Sequence, residues 1–507
     1  MISDNHRIAK NTGLLYIRQL FTLFVSFYTS RLTLQVLGET DFGVYATVGG
    51  ITAFLSTITN ALASGTQRFI TISLGKGDEE ELNKVYVTSV NLHLLLSVLL
   101  ILLGETLGSW FILNKMHVPP DRLMTSYWVF QITLLNSCFA LINIPNNAEI
   151  IAHEDMGPWA FVQILDSLLR LLFIALLFVI KWDKLLAYAI ALFIIQFINR
   201  SICHLWCKFK YKEVKYHFIF DKKLIKSMLG IAGWTSLSNA AISGFVQGTN
   251  VLINVFFGPV VNAANSVAMQ AYSGLRSFCS SFQLASNPQI VKLYSTGNIV
   301  GMRELLFSVC KISFFLVFLI SLPFLLNAEF VLQVWLKDVP EHASTFFILL
   351  LLYSYSDVLA YPLDIVAQAT GRLRKYSSLI SLIVISILPL SYVFYLFGYI
   401  PETIYYIAIV VSWIGIATRL LLLEKLINID LKSFLKEVVG RIVLVAGCSV
   451  SIPLFLSKVV LDRSLPSVLF VMLLSVLSCV FFIFLLGLSK NEKDMVSSLF
   501  HKLMKKV

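Results

Sequence analysis

Arg18, Thr22, Ser26, Thr29 and Thr33 recur at intervals of three and four within "YIRQLFTLFVSFYTSRLTLQVLG", residues 16–38. At about 100° per residue they share an arc of roughly 80° on one helix. A guanidinium is a planar fork of donors that holds a phosphate or carboxylate bidentately. Hydroxyls stacked above it form a hydrogen-bonding track. Arg31 falls on nearly the opposite side, where it anchors at the outer interface or pairs with Glu39 or Asp41.

Polar stripes recur on three further segments. One carries Asn239, Ser243, Gln247, Asn250 and Asn254; the next carries Asn262, Asn265, Ser266, Ser273, Arg276, Ser277 and Ser280. A third offers Thr52, Ser56, Thr59 and Gln67, with Arg68 at its inner end. In an apolar helix such stripes face either a watery cavity or a neighbouring helix that they bond. At about 1.5 Å per residue, Arg18 lies roughly 10 Å from the cytoplasmic end and Arg276 roughly 25 Å from the external end. Arg18, Arg68 and Arg276 are thus expected at one depth, as a cationic mouth suited to phosphate.

Acidic residues in apolar stretches suggest ion coupling. Glu149 and Asp364 lie near Pro145 and Pro362, where a broken helix would expose carbonyls to a cation, and Asp357 lies close by. Asp166 and Arg170, four apart, read as a neutralised structural pair. The seven cysteines sit in or beside apolar runs as small buried residues. Cys203-His204-x-x-Cys207 lacks a second pair at ligand spacing, so no metal site is expected. No ATPase phosphate loop, nucleophile elbow or HExxH is present.

The elements that position these residues follow from composition. The 507-residue chain is 57% hydrophobic and 14% charged, with a mean hydropathy of +0.80. This implies an all-α integral membrane protein. About fourteen spans are expected, near 12–35, 42–64, 85–104, 123–144, 158–180, 185–206, 229–256, 259–285, 305–327, 344–367, 376–398, 403–423, 438–460 and 466–488. The polar start, residues 1–10, runs into the first span without the pattern of a cleavable signal peptide. With both termini cytoplasmic, the external side keeps only Lys115, Arg122, Lys181, Lys184, Lys337, Lys458 and Arg463, and the inner side holds roughly four times as many. The densest basic run, 208–226, reads as an inner loop against anionic headgroups, so the net charge of +11 does not call for nucleic acid. External loops are too short for a catalytic domain.

A shift of 220 residues aligns Gly13, Thr29, Leu32, Gly38, Leu55, Ile70 and Gly77 with Gly233, Thr249, Leu252, Gly258, Leu275, Ile290 and Gly297. This is a parallel repeat of the kind found in transporters. It divides the chain into an N-lobe at 1–210, a C-lobe at 211–430, and two further helices with a cytoplasmic tail at 431–507.

Residues 11–54 ("NTGLLYIRQLF…GGITAF"), 144–156 ("IPNNAEIIAHEDM") and 367–398 ("AQATGRLRKYSS…YLFG") resemble the polysaccharide repeat-unit flippases of the O-antigen (Wzx) type. That family lies in the multidrug/oligosaccharidyl-lipid/polysaccharide (MATE-like) exporter superfamily. The resemblance implies a non-enzymatic bacterial inner-membrane protein that moves undecaprenyl-diphosphate-linked oligosaccharide outward by alternating access. It implies a polysaccharide polymerase and chain-length regulator as partners, and Na+ or H+ as the coupling ion with no other cofactor. In the peptidoglycan-precursor relatives, arginines on helices one, two and eight meet the diphosphate; Arg18, Arg68 and Arg276 match by helix. Thr22, Ser26, Thr29, Asn239, Ser243, Gln247, Asn250, Asn265 and Ser273 would line the sugar path. The rivals are a multidrug or cation antiporter of the same fold, which favours acidic cavity residues, an uncoupled lipid scramblase, and a membrane enzyme of polysaccharide assembly.

Overall fold

The computed structural model describes the backbone of residues 2–76, 78–153, 155–217, 221–336, 338–371, 373–459, 465–490 and 492–493. Side chains are described over these stretches except 2–20, 54–65, 68, 72, 75–76, 156, 159, 227, 229–240, 281, 284–285, 288, 373 and 457–459. Arg18, Arg68 and Asn239 therefore lie outside the described side chains.

The described regular structure is helical throughout. In chain order the α-helices are α1 (Ile2–Lys76), α2 (Glu79–Leu103), α3 (Ser109–Asn114), α4 (Leu123–Ile142), α5 (Ile144–Ala152), α6 (Met156–Leu177), α7 (Lys184–Lys210) and α8 (Lys222–Ser295). There follow α9 (Ile299–Leu326), α10 (Ala328–Leu336), α11 (Ala343–Thr370), α12 (Leu373–Ile385), α13 (Ile387–Leu396), α14 (Thr403–Ile427), α15 (Leu431–Phe434), α16 (Arg441–Val459) and α17 (Leu465–Phe482). Among the described residues, eleven helical stretches are long and apolar enough to span a bilayer. The chain is a multi-pass membrane protein. One stretch, Ala241–Ser280, contains the bend between the expected seventh and eighth spans; each of the others falls on one expected span. The expected first and second spans lie on the two arms of α1.

Two glycines make the two bends. Gly38 has φ 75° and ψ 170°; Gly258 has φ 83° and ψ −179°. That region is closed to residues with a Cβ. The repeat read from the sequence thus has a backbone counterpart, because both halves turn at the equivalent glycine.

By contact the chain forms two compact units, and the division falls within α8. The first contains Met1–Val267, Pro340–His342 and Val384–Pro401. Here α1 packs on α2, α4, α5 and α6, and α4 packs on α7. Val44, Val48, Phe130, Leu134, Ile174 and Leu185 fill its core. The bends meet closely: a Cβ on Gly43 would lie 1.7 Å from the Pro259 carbonyl oxygen. Asn262 Nδ2 bonds Thr47 Oγ1 at 2.7 Å and the Gly43 carbonyl at 3.2 Å. Arg122 donates to Asp41 at 2.9 Å and to Asp183 at 2.6 Å, while Asp183 caps α7. Arg122, not Arg31, is therefore the partner of Asp41.

The second unit contains Ala268–Val339, Ala343–Ile383 and Glu402–Val507. In it α11 packs on α9 and α14, and α17 packs on α9 and α16. Two prolines inside these helices each free a carbonyl four residues back. Gln283 Nε2 bonds the Val358 carbonyl freed by Pro362 at 2.8 Å. Ser478 Oγ bonds the Ser449 carbonyl freed by Pro453 at 3.0 Å. This satisfaction keeps α11 continuous, so the break expected at Pro362 is not there. A break does precede Pro145, at Asn143 between α4 and α5.

Candidate functional site

In the second unit, α8, α11, α12 and α14 bring together two arginines and two aspartates. Arg276 Nε donates to Asp357 Oδ2 at 2.6 Å, and its Nη1 to Gln283 Oε1 at 3.2 Å. Gln283 also donates to Ser313 Oγ at 3.1 Å. About two turns further along α11, Asp364 accepts from Arg419 at 2.8 and 3.3 Å and from the Tyr376 hydroxyl at 2.6 Å. The arginines are the more buried members: side-chain exposure is 17% for Arg276 and 7% for Arg419, against 31% for Asp357 and 27% for Asp364. Buried charges need such partners, because an isolated ion loses its hydration. Asp357 and Asp364, expected as ion sites, are thus each engaged by a guanidinium. Arg276, expected as a free phosphate fork, is neutralised by Asp357.

In the first unit a cavity of about 590 Å³ opens at the basic end of α7. Arg200, His204 and Lys208 stand four apart on one face of α7 and line it. The chain after α7 folds back to supply Lys212, Lys215 and Tyr216, and Tyr86 and Asn146 also line the cavity. Asn83 Nδ2 on α2 clamps this segment through the Glu213 and Lys215 carbonyls, and the Tyr216 hydroxyl donates to Asn91 at 2.8 Å. Arg200 lies 4.9 Å from the Phe139 ring centroid. Lys210 is neutralised by Asp155 at 2.6 Å. Burial works to raise the Asp155 carboxyl, but hydrogen bonds from Lys210 and Tyr211 outweigh it and hold the group below its ordinary value. Among the described residues no carboxylate pairs with Arg200, Lys208, Lys212 or Lys215. The cavity is therefore a cationic, aromatic-walled space of ligand size, at the end that the positive-inside rule assigns to the cytoplasm.

The remaining expected lining residues divide. Thr29 is buried and its carbonyl accepts from Thr33 at 2.8 Å. Thr22 is half-buried and Ser26 exposed. Asn265 donates to Asn250 at 2.8 Å, which makes this amide pair interhelical glue. Gln247 and Asn250 face Gly50 on the second arm of α1. Ser243 is half-buried, and exposed Ser273 bonds back to Gln270 at 2.9 Å. Asp166 and Arg170 do form the expected pair, at 2.6 Å, joined by Asn199 at 2.7 Å. Cys203 and Cys207 are buried in an apolar cluster.

The family of polysaccharide biosynthesis proteins matches residues 8–294, more than half of the chain. The chain belongs to that family. A relative, the uncharacterized membrane protein EpsK of Bacillus subtilis (strain 168), is 22% identical over 300 residues. The match spans 56% of each protein, so it covers just over half the relative's length. Two solved structures share the fold. An inward-facing multidrug resistance MATE family transporter of the MOP superfamily superposes with a TM-score of 0.67 at 16% identity, over 82% of this chain and 99% of that one. The lipid II flippase MurJ, in an inward closed conformation, gives a TM-score of 0.67 at 12% identity, over 94% and 98%.

For this polysaccharide biosynthesis protein, two groups that matter escaped the sequence reading. Arg419 gave no sign of Asp364, nor Gln283 of Ser313 and Val358, which are distant in the chain. The cavity did leave a signal: Arg200, His204 and Lys208 are spaced for one helix face and are followed by lysines interleaved with aromatics.

Proposed function

We propose that this protein is a flippase for lipid-linked oligosaccharides in the bacterial inner membrane, working by alternating access in surface polysaccharide assembly. The observation that carries the reading is the cationic cavity at the end of α7, where Arg200, Lys208, Lys212 and Lys215 have no carboxylate partner among the described residues, in a chain of a polysaccharide biosynthesis family. A polyprenyl diphosphate head needs positive charge, and the first sugars need polar and aromatic walls. Arg200, Lys208 and Lys212 would receive the diphosphate from the inner leaflet. The role expected of Arg18, Arg68 and Arg276 belongs to the same proposal, with one added condition: Arg276 must exchange Asp357 for phosphate. Coupling to Na+ or H+, and delivery to a polymerase with its chain-length regulator, are further parts of it.

The test is complementation of a deletion strain. Without the protein, lipid-linked oligosaccharide should accumulate in the cytoplasmic leaflet and surface polysaccharide should fall. The triple variant Arg200→Ala, Lys208→Ala, Lys212→Ala should reproduce this phenotype at normal membrane levels. Full complementation by that variant would remove the cavity from the mechanism. A multidrug or cation antiporter is the second reading, supported by the partial exposure of Asp357 and Asp364. It requires altered drug susceptibility in the deletion strain with unchanged polysaccharide.

A further inference from the structure

Beside the basic cavity, and outside the network just described, three ligand-bearing side chains converge. Glu149 and His153 stand four apart at the end of α5, and Glu213 comes from the segment after α7. Their nearest ligand atoms all lie within 4.8 Å of one another. His153 Nε2 is 2.7 Å from Glu213 Oε1 and 3.7 Å from Glu149 Oε2. Glu149 is fully buried, and neither carboxylate oxygen accepts a hydrogen bond. A buried carboxylate without hydrogen bonds is costly, and 3.7 Å is too long for one. The side chain is therefore aimed at a centre that no donor among the described residues fills.

We propose that Glu149, His153 and Glu213 form a binding site for a divalent first-row transition cation, with Zn2+ the best match. Tetrahedral zinc places its nitrogen and oxygen ligands about 3.3 Å apart. The separations of 2.7 and 3.7 Å from His153 straddle that value, and the third, between the two carboxylates, lies within 4.8 Å. An imidazole with two carboxylates favours zinc or manganese over magnesium and calcium, which take all-oxygen sets. Two carboxylates against one neutral imidazole leave a net −2 charge for a +2 ion. The site has an open side, since His153 is 24% exposed. Its imidazole is fixed by the Tyr211 ring, stacked at 4.1 Å with 6° between planes. Tyr211 also lines the basic cavity. A bound cation would staple α5 to the cavity wall, adding to the His153–Glu213 hydrogen bond and to the apolar cluster of Ile150, Cys207, Tyr211 and Val214.

The experiment titrates ZnCl2 into the purified full-length protein in detergent, after EDTA treatment and dialysis, by calorimetry and by metal analysis. One Zn2+ per chain should bind and raise the thermal midpoint, and Mg2+ and Ca2+ should bind at least tenfold more weakly. Glu213→Gln and His153→Ala should each weaken zinc at least tenfold; Glu213→Gln keeps the test alive if the histidine variant does not fold. His204→Ala, which removes the imidazole between Cys203 and Cys207, should bind zinc as the parent does. Equal binding by parent and Glu213→Gln, or no binding by the parent, overturns the proposal; no binding would mean that Glu149 is held protonated.

Discussion

The Arg276–Asp357 pair allows stability and function to be separated. Replacing Asp357 by Asn removes the negative charge and leaves Arg276 only Gln283. A hydrogen bond to a charged group contributes about 1.5–3 kcal/mol. Asp357 keeps 31% of its side-chain surface exposed, so water supports the separated charges and the lower end applies, about 1–2 kcal/mol. Arg276→Met should cost a similar amount, because it leaves Asp357 without its guanidinium. If the two act as one unit, the double variant should lose little more than either single one, with a coupling energy of about 1–2 kcal/mol. Unfolding of the four proteins in mixed micelles measures this cycle. Binding of a polyprenyl diphosphate measures function in the same samples. On the proposed reading, Asp357→Asn frees the guanidinium and tightens diphosphate binding while it destabilises the fold, whereas Arg276→Met weakens both. Additive stability losses would refute the pairing argument. Diphosphate affinity unchanged in both single variants would refute the role of Arg276.

Gly258→Ala should destabilise by about 1–3 kcal/mol through backbone strain alone, since no atom lies within 4 Å of the added Cβ. Gly43→Ala should cost more, because its Cβ meets the Pro259 carbonyl oxygen at 1.7 Å and that backbone cannot swing away. Thermal midpoints of the two variants give the order, and a reversed order would contradict it. Gln283→Ala should cost about 1–3 kcal/mol by leaving the Val358 carbonyl freed by Pro362 without a donor, with a further loss at Arg276. Restoring the backbone donor with Pro362→Ala in that background should recover part of the loss. Glu492 is held down to about 2: burial opposes this, but hydrogen bonds from Ser308, the Ser489 amide and Lys311 outweigh it. A depressed carboxyl contributes stability above its unfolded value, and that stability disappears as pH falls through about 4 toward 2. The contribution, up to about 2 kcal/mol after discounting for partial solvation, should be absent from Glu492→Gln, whose acid unfolding curve should be correspondingly flatter.

What the sequence showed clearly was whatever depends on one segment. Apolar length placed the spans, and a glycine at the same point in each half marked both bends. Four-residue spacing found the Asp166–Arg170 pair. What it missed depends on what the facing helix brings. The stripe through Asn262 and Asn265 could line water or bond a neighbour, and periodicity treats the two alike. Thr47, Gly43 and Asn250 decide it, and they approach only because Gly38 and Gly258 turn their helices. Pro362 misled in the same way. A proline frees a carbonyl in any helix, but whether the helix breaks depends on a donor such as Gln283, which lies far off in the chain. The basic run at 208–226 reads from its sequence only as an inner loop against headgroups, because charge density says nothing of concavity. Asn83 and Asn91 fold its first part back and give it a wall.

The two kinds of charge in this chain bear on the sign of the cargo. Within the helices, Arg276 and Arg419 each have an aspartate, as expected where an unpaired ion would cost several kcal/mol. At the basic end of α7, Lys210 has Asp155, but among the described residues Arg200, Lys208, Lys212 and Lys215 have no carboxylate; water and headgroups stabilise such cations. On the proposed reading, an anionic cargo would be attracted to these unpaired cations, and at an ion pair it would replace the aspartate on its arginine. A cationic cargo would be repelled at the rim and would have to replace an arginine at its aspartate. On that reading the ion pair would be the two-state element, with cargo charge selecting which partner leaves. Asp357→Asn and Arg276→Met should consequently shift affinity for an anionic lipid and for a cationic drug in opposite directions. A common direction for both ligands would mean that the pair only holds α8 against α11.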